Sequence, residues 1–197
     1  MNTFDKYEEL LKPNEAKGRF LATSLYIAFF EYFKNLVVDL PESFFIDGFE
    51  AGKITINSRY KEQVLSLHDN KVSASLKWLQ SIGCLTKEDY KNFQSIRQYR
   101  NDLAHKMLSI VFENKHDDFD RNYSNLISLM LKTHKWWILN IEIPTSDLNP
   151  ELEYDFDGII TGSDMIINLF TSLALGDEEQ TKELYEQFKK ERANMGK

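Results

Sequence analysis

Apolar residues recur at helical intervals over most of this chain. From Glu15 to about Leu40, Phe20, Ile27, Phe30 and Val37 share one face, with Leu21, Leu25, Phe29 and Leu36 beside it. Such a helix is apolar over much of its circumference and is expected to be heavily buried, and Pro41 is expected to stop it. A second long helix is predicted from about Ser58 to Ile82, carrying Val64, Leu67, Lys71, Ala74 and Trp78 at helical spacing and ending at Gly83. Thr86 is the expected N-cap of a third helix over about 87 to 110. There Phe93, Ile96, Leu103, Met107 and Ile110 form the stripe, and Glu88 and Asp89 complement the positive end of the helix dipole. A fourth helix ends near Asn140 and carries Leu126, Leu129, Met130, Trp136 and Trp137.

The segments between are shorter or irregular. Residues 2 to 11 read as a lead-in helix ended by Pro13, with Asn14 free to cap the long helix from Glu15. Residues 41 to 57 read as an irregular connection with one small strand at Ile54-Thr55-Ile56, suited to covering the bundle end or touching a partner. A charged loop spans Glu113 to Asp118. After Ile143-Pro144 the pattern changes: Leu152, Tyr154 and Phe156 alternate with acids, the period of a short edge strand. Ser163 or Asp164 then starts a brief apolar helix that Gly176-Asp177 breaks, and a charged helix from about Glu178 closes the chain. The fold class predicted is all-α, an up-and-down four-helix bundle over residues 1–145. An acidic extension over 146–197, including one small strand, packs on or beside it.

Composition narrows the function classes. The formal net charge is −7; residues 151 to 197 hold eleven acids and five bases, net −6, which leaves −1 for the first 150 residues. A protein that coats nucleic acid through a broad basic surface is thereby excluded, whereas a focused patch such as Arg97, Arg100 and Lys106 is not. The single Cys84 rules out an intrachain disulfide framework and a cysteine-rich zinc site, and suits a reducing compartment. No apolar run reaches the roughly 20 residues that cross a bilayer, and the N-terminus lacks a secretory signal pattern. The expectation is a cytoplasmic protein with no membrane contact.

The chemical message lies in Arg97-Gln98-Tyr99-Arg100-Asn101-Asp102-Leu103-Ala104-His105, on what reads as the central apolar helix. At about 100° per residue, Arg100 points almost along the stripe, with Arg97, Asn101 and His105 at about 40°, 80° and 120°. A guanidinium aimed into a core is costly unless paired, so this one either builds an internal ion pair or faces a partner. Ala104, near the stripe's centre, leaves room for another helix. Arg100-Asn101-Asp102-Leu103-Ala104-His105 resembles the R-x4-6-H signature of the HEPN family, and the turn at Leu79 to Tyr90 is similar to the one preceding that signature, including in the mannitol operon repressor type. The resemblance is specific over residues 76 to 107, looser over 14 to 140, and absent beyond.

A metal-free ribonuclease needs a group of near-neutral pKa to move protons and a fixed cation to hold the phosphorane charge, which histidine and arginine supply. The resemblance implies phosphate binding by Arg100, proton transfer by His105 and a supporting role for Asn101, with no metal or cofactor. It also implies a composite site between two protomers and products ending in cyclic phosphate and 5′-hydroxyl. A homodimer is needed because Arg100 and His105 diverge by about 140° on one straight helix. RNA and an antitoxin or regulatory protein are the implied partners, in a toxin or defence setting. The Tyr that one toxin subgroup carries two positions after the histidine is absent, since Lys106 and Met107 follow His105.

Three other readings stand beside this one. Arg100 could pair with an internal carboxylate while Asn101 and His105 satisfy backbone groups at a helix crossing. The same helix could be the interface of a non-catalytic regulatory module, and the acidic tail could mimic RNA and shield the site. Elsewhere, Glu153, Asp155, Asp157, Gly158 and Asp164 make a poor copy of a calcium loop and read as an acidic turn. His68, His116 and His134 lack partners at metal spacing, and one of Trp136-Trp137 is expected in the core with the other partly exposed.

Overall fold

The computed structural model describes residues 15–50, 52–113, 118–146 and 158–176, with isolated positions between 179 and 189. The expected lead-in helix, most of the charged loop with His116, the alternating strand at 152–156 and most of the closing helix lie outside them. The described residues are mostly helical, with one small sheet. The helices are α1 (Glu15–Phe44), α2 (Ser58–Gln63), α3 (Lys71–Ser81), α4 (Lys87–Glu113), α5 (Phe119–Trp137), α6 (Ile143–Thr145) and α7 (Gly162–Leu175). The strands are β1 (Ile46–Glu50) and β2 (Lys53–Ile56). No helix among the described residues is long and apolar enough to cross a membrane.

The centre of the fold is α1, not α4 as the sequence suggested. It packs against α3, α4, α5 and α7, and Tyr26, Phe33 and Val37, spaced seven and four residues apart, are fully buried along one face of it. Phe93 of α4 lies 5.8 Å from both the Phe30 and Phe33 rings, and the Tyr26 hydroxyl donates to the Ile96 carbonyl at 3.3 Å.

Pro41 does not end α1, which runs one turn further to Phe44. The proline removes the donor that Val37 would otherwise receive, a defect of about 3 kcal/mol in an exposed helix. Here Leu40 and Phe45 are buried on either side of it, and Ser43 Oγ donates to the Leu40 carbonyl at 2.8 Å. Packing outweighs the local preference.

The long second helix expected over Ser58–Ile82 is three pieces: α2, a 3₁₀ turn at Leu65–Leu67, and α3. Asn70 ends the continuity by capping α3, its Oδ1 accepting from Ser73 N at 3.1 Å, while His68 Nδ1 accepts from Asn70 N at 2.9 Å. The apolar spacing carries on across the break because Val64 and Leu76 fill the same core.

Gly83 closes α3 as expected, at φ +83°. Gly83→Ala meets no atom within 4 Å, yet forces an L-residue into the left-handed region, so a loss of about 1–2 kcal/mol in urea denaturation is expected. Thr86 caps α4 as expected: its Oγ1 accepts from Asp89 N at 3.1 Å and Asp89 Oδ2 accepts from Thr86 N at 2.7 Å. Desolvation pushes the Asp89 carboxyl up, but hydrogen bonds from Lys132 (2.6 Å) and Thr86 outweigh it and hold it below the carboxylate range. Trp137 is buried and Trp136 half-buried, as expected.

The helix of the C-terminal extension, α7, starts at Gly162 rather than at Ser163 or Asp164. Thr161 is the cap, in a capping box with Asp164. It docks on α1 and α5 through Ser163, whose Oγ is 2.7 Å from His134 Nδ1 and 3.4 Å from the Tyr32 hydroxyl. Burial holds the His134 imidazole below its ordinary value of 6.5, against the opposing pull of Glu142 and Asp164. The unfolded chain therefore takes up this proton first. Stability is full above pH 6.5 and falls as the pH drops towards the lower folded value. In His134→Gln the slope of melting temperature against pH should be shallower across that window; an unchanged slope would remove His134 as its source.

Candidate nucleic-acid interface

The signature residues sit on the half of α4 that α1 covers from one side. Ile96 and Leu103 are fully buried and mark the centre of the buried face. Arg100 therefore lies at the edge of that face, half-buried, and Ala104 is exposed instead of central. No helix of the described chain uses the room beside Ala104.

Arg100 is held from several directions. One Nη donates to Glu31 Oε1 at 2.5 Å and the other to Asn101 Oδ1 at 3.2 Å. The guanidinium carbon stands 5.7 Å from the centre of the Phe30 ring. Its Nε is buried with no hydrogen-bond partner among the described residues. Glu31 also accepts from Lys34, one turn along α1. Desolvation raises the Glu31 carboxyl, but Lys34 and then Arg100 outweigh it and keep it below the usual carboxylate range, so it is ionised at neutral pH. Arg100 thus has the internal carboxylate partner that a purely structural reading expected. Asn101 serves the guanidinium, not His105, because its amide turns towards the cleft.

These groups line a cleft of about 200 Å³ between α1, α4 and the start of α3, with Phe30, Phe93 and Val72 as apolar wall. Lys34, Arg97 and Arg100 bring three positive charges to it and Glu31 one negative charge, a local excess of two in a chain of net charge −7. Arg97 is exposed. Of the residues singled out in the sequence, the fold brings together Arg97, Arg100 and Asn101. His105 and Lys106 lie outside this cleft, both exposed, and Lys106 Nζ stands 3.9 Å from Asp102 Oδ1. Glu31 and Lys34 were not singled out. Their signal was that Glu31 is the one acid between Glu15 and Asp39 in an otherwise apolar helix.

A larger cleft, about 440 Å³, opens between the start of α4 and α5 and includes Glu88, Asp89, Lys91 and Arg121. Its charges balance and its acids are engaged, Asp89 by Lys132 and Thr86 and Glu88 by Lys91 at 3.3 Å. Size alone does not make it the better site for an anion. Among the described residues no group of three His, Cys, Asp or Glu could hold a metal ion. Asp164 closes the α7 capping box, and residues 153–157 of the calcium-loop pattern lie outside the described set. Burial pushes the Cys84 thiol up to about 12, so it is no nucleophile at neutral pH. No protein-family profile, curated protein or solved structure matches the chain.

Proposed function

We propose that this protein binds RNA along its phosphate backbone at the Lys34–Arg97–Arg100 cleft, as a HEPN-like module of the toxin or defence type. One observation carries the reading: three cations from two helices converge on one cleft that holds a single carboxylate. Arginine and lysine recognise phosphate through charge-assisted hydrogen bonds. The fold that belongs to this reading is a HEPN-like bundle of α1, α3, α4 and α5.

Binding is favoured over cutting within one chain. In-line attack by a 2′-hydroxyl needs the proton carrier and the phosphate clamp on one phosphate, and His105 lies outside the cleft that holds Arg100. A metal-independent endoribonuclease would need His105 from a second protomer. The alternative is a non-catalytic module similar to the mannitol operon repressor type, favoured by the engagement of Arg100 with Glu31. Fluorescence anisotropy with labelled single-stranded RNA, run beside a cleavage assay in EDTA with wild type and His105→Ala, separates the three. Salt-sensitive binding without cutting supports the proposal. Cutting lost in His105→Ala makes the protein an enzyme, and no binding at low salt leaves the interaction module.

A further inference from the structure

We propose that the Lys34–Arg97–Arg100 cleft takes the terminal phosphate of an RNA strand, a phosphomonoester, in preference to the phosphodiesters within the strand. This deepens the RNA reading above and rests on it. Charge separates the two kinds of phosphate. Lys34, Arg97 and Arg100 against Glu31, which is ionised at neutral pH, leave the cleft a positive excess of two. A phosphomonoester carries about −1.5 to −2 at that pH, whereas an internal phosphodiester carries a single charge and would leave part of the excess unmatched.

Shape acts in the same direction. Phe30 and Phe93 line the cleft and are themselves only 3% and 1% exposed, so its floor is the hydrophobic core and a strand cannot run through it. A chain end enters such a pocket with one ester bond leading out; an internal phosphate must bring out two. Arg100 still has a donor to offer, because its Nε is buried without a hydrogen-bond partner among the described residues while its two Nη atoms serve Asn101 and Glu31. A buried N–H left unmet costs free energy that an incoming acceptor restores. A monoester brings three unesterified oxygens, one for each cation, where a diester brings two. The N-terminal end of α3 adds to the positive field, since Asn70, its cap, and Val72 also line the cleft.

Size selects a strand end over a free nucleotide. The cleft of about 200 Å³ equals the liquid volume of roughly seven waters, room for a phosphate and part of its ribose. Pockets that enclose a whole small ligand run from about 300 Å³ upwards. The base and the rest of the ligand therefore lie outside, as they do when the phosphate ends a polymer that continues over the surface.

Fluorescence anisotropy on the full chain tests this with one short single-stranded RNA, dye-labelled on an internal base and carrying a 5′-phosphate, a 3′-phosphate or hydroxyls at both ends. A phosphorylated end should bind about tenfold or more tighter than the hydroxyl strand. Lys34→Gln, on the exposed edge of α1, lowers the excess to one and should cut that advantage to about threefold or less while the melting temperature is kept. A nucleoside monophosphate should compete far more weakly than the phosphorylated strand. Equal affinity for the phosphorylated and hydroxyl strands overturns the proposal and leaves the RNA reading standing, whereas no binding of any strand at low salt removes both. An advantage that Lys34→Gln leaves intact places the strand end elsewhere, and a mononucleotide that binds as tightly as the strand makes the ligand a nucleotide; either result overturns the proposal. If Lys34→Gln fails to fold, the comparison of strand ends on the wild type decides.

Discussion

Phe33→Ala should lower the unfolding free energy by about 4 kcal/mol, close to half the stability of a typical domain. Phe33 is fully buried on α1 and meets Phe93 edge-on at 5.8 Å, at the seam where the two longest helices cross. Truncation removes the transfer free energy of the ring and leaves a cavity beside Phe93, itself buried. Phe20→Ala on the same helix is the comparison: Phe20 is 49% exposed and should cost less than about 1 kcal/mol. Urea midpoints with unchanged slopes would read both. Equal losses would contradict the placing of α1 at the centre of the core.

Arg97→Glu should weaken binding to single-stranded RNA by about 30-fold or more, and the slope of log affinity against log salt should become shallower by about 0.7 for each phosphate the variant no longer neutralises. The reversal removes one of three cations and turns the local charge of the cleft from an excess of two to zero. Arg97 is the better probe than Arg100, because it is exposed whereas Arg100 holds Glu31 across 69 positions of sequence. Lys91→Glu, at the larger and charge-balanced cleft, should change affinity little. If it is the more damaging of the two, the RNA lies at the other end of α4.

The signature helix was legible from residue pattern because its determinants are local. Thr86 and Asp89 satisfy each other's backbone within four residues, Gly83 takes a conformation that other residues resist, and Phe93, Ile96 and Leu103 recur at the helix period. The same locality explains the misplaced boundaries. Pro41 is a stop signal only until buried neighbours hold the next turn, and the interval from Val64 to Ala74 keeps its apolar spacing across a real break. Periodicity records which side of the chain meets the core, not whether the helix is continuous.

The sequence by itself determined the helical class, the N-terminal cap of α4, the approximate face of Arg100 and the acidity of the tail, all of which follow from short-range sterics, hydrogen bonding and composition. Only the tertiary structure decided that α1 is the hub, that Glu31 and Lys34 join Arg97 and Arg100, that His105 stands outside their cleft, and that the hairpin has an uncovered apolar face. Those outcomes depend on which residues far apart in the chain are brought within a few ångströms. The same residue pattern admits many such pairings, and the whole core must pack at once to choose among them.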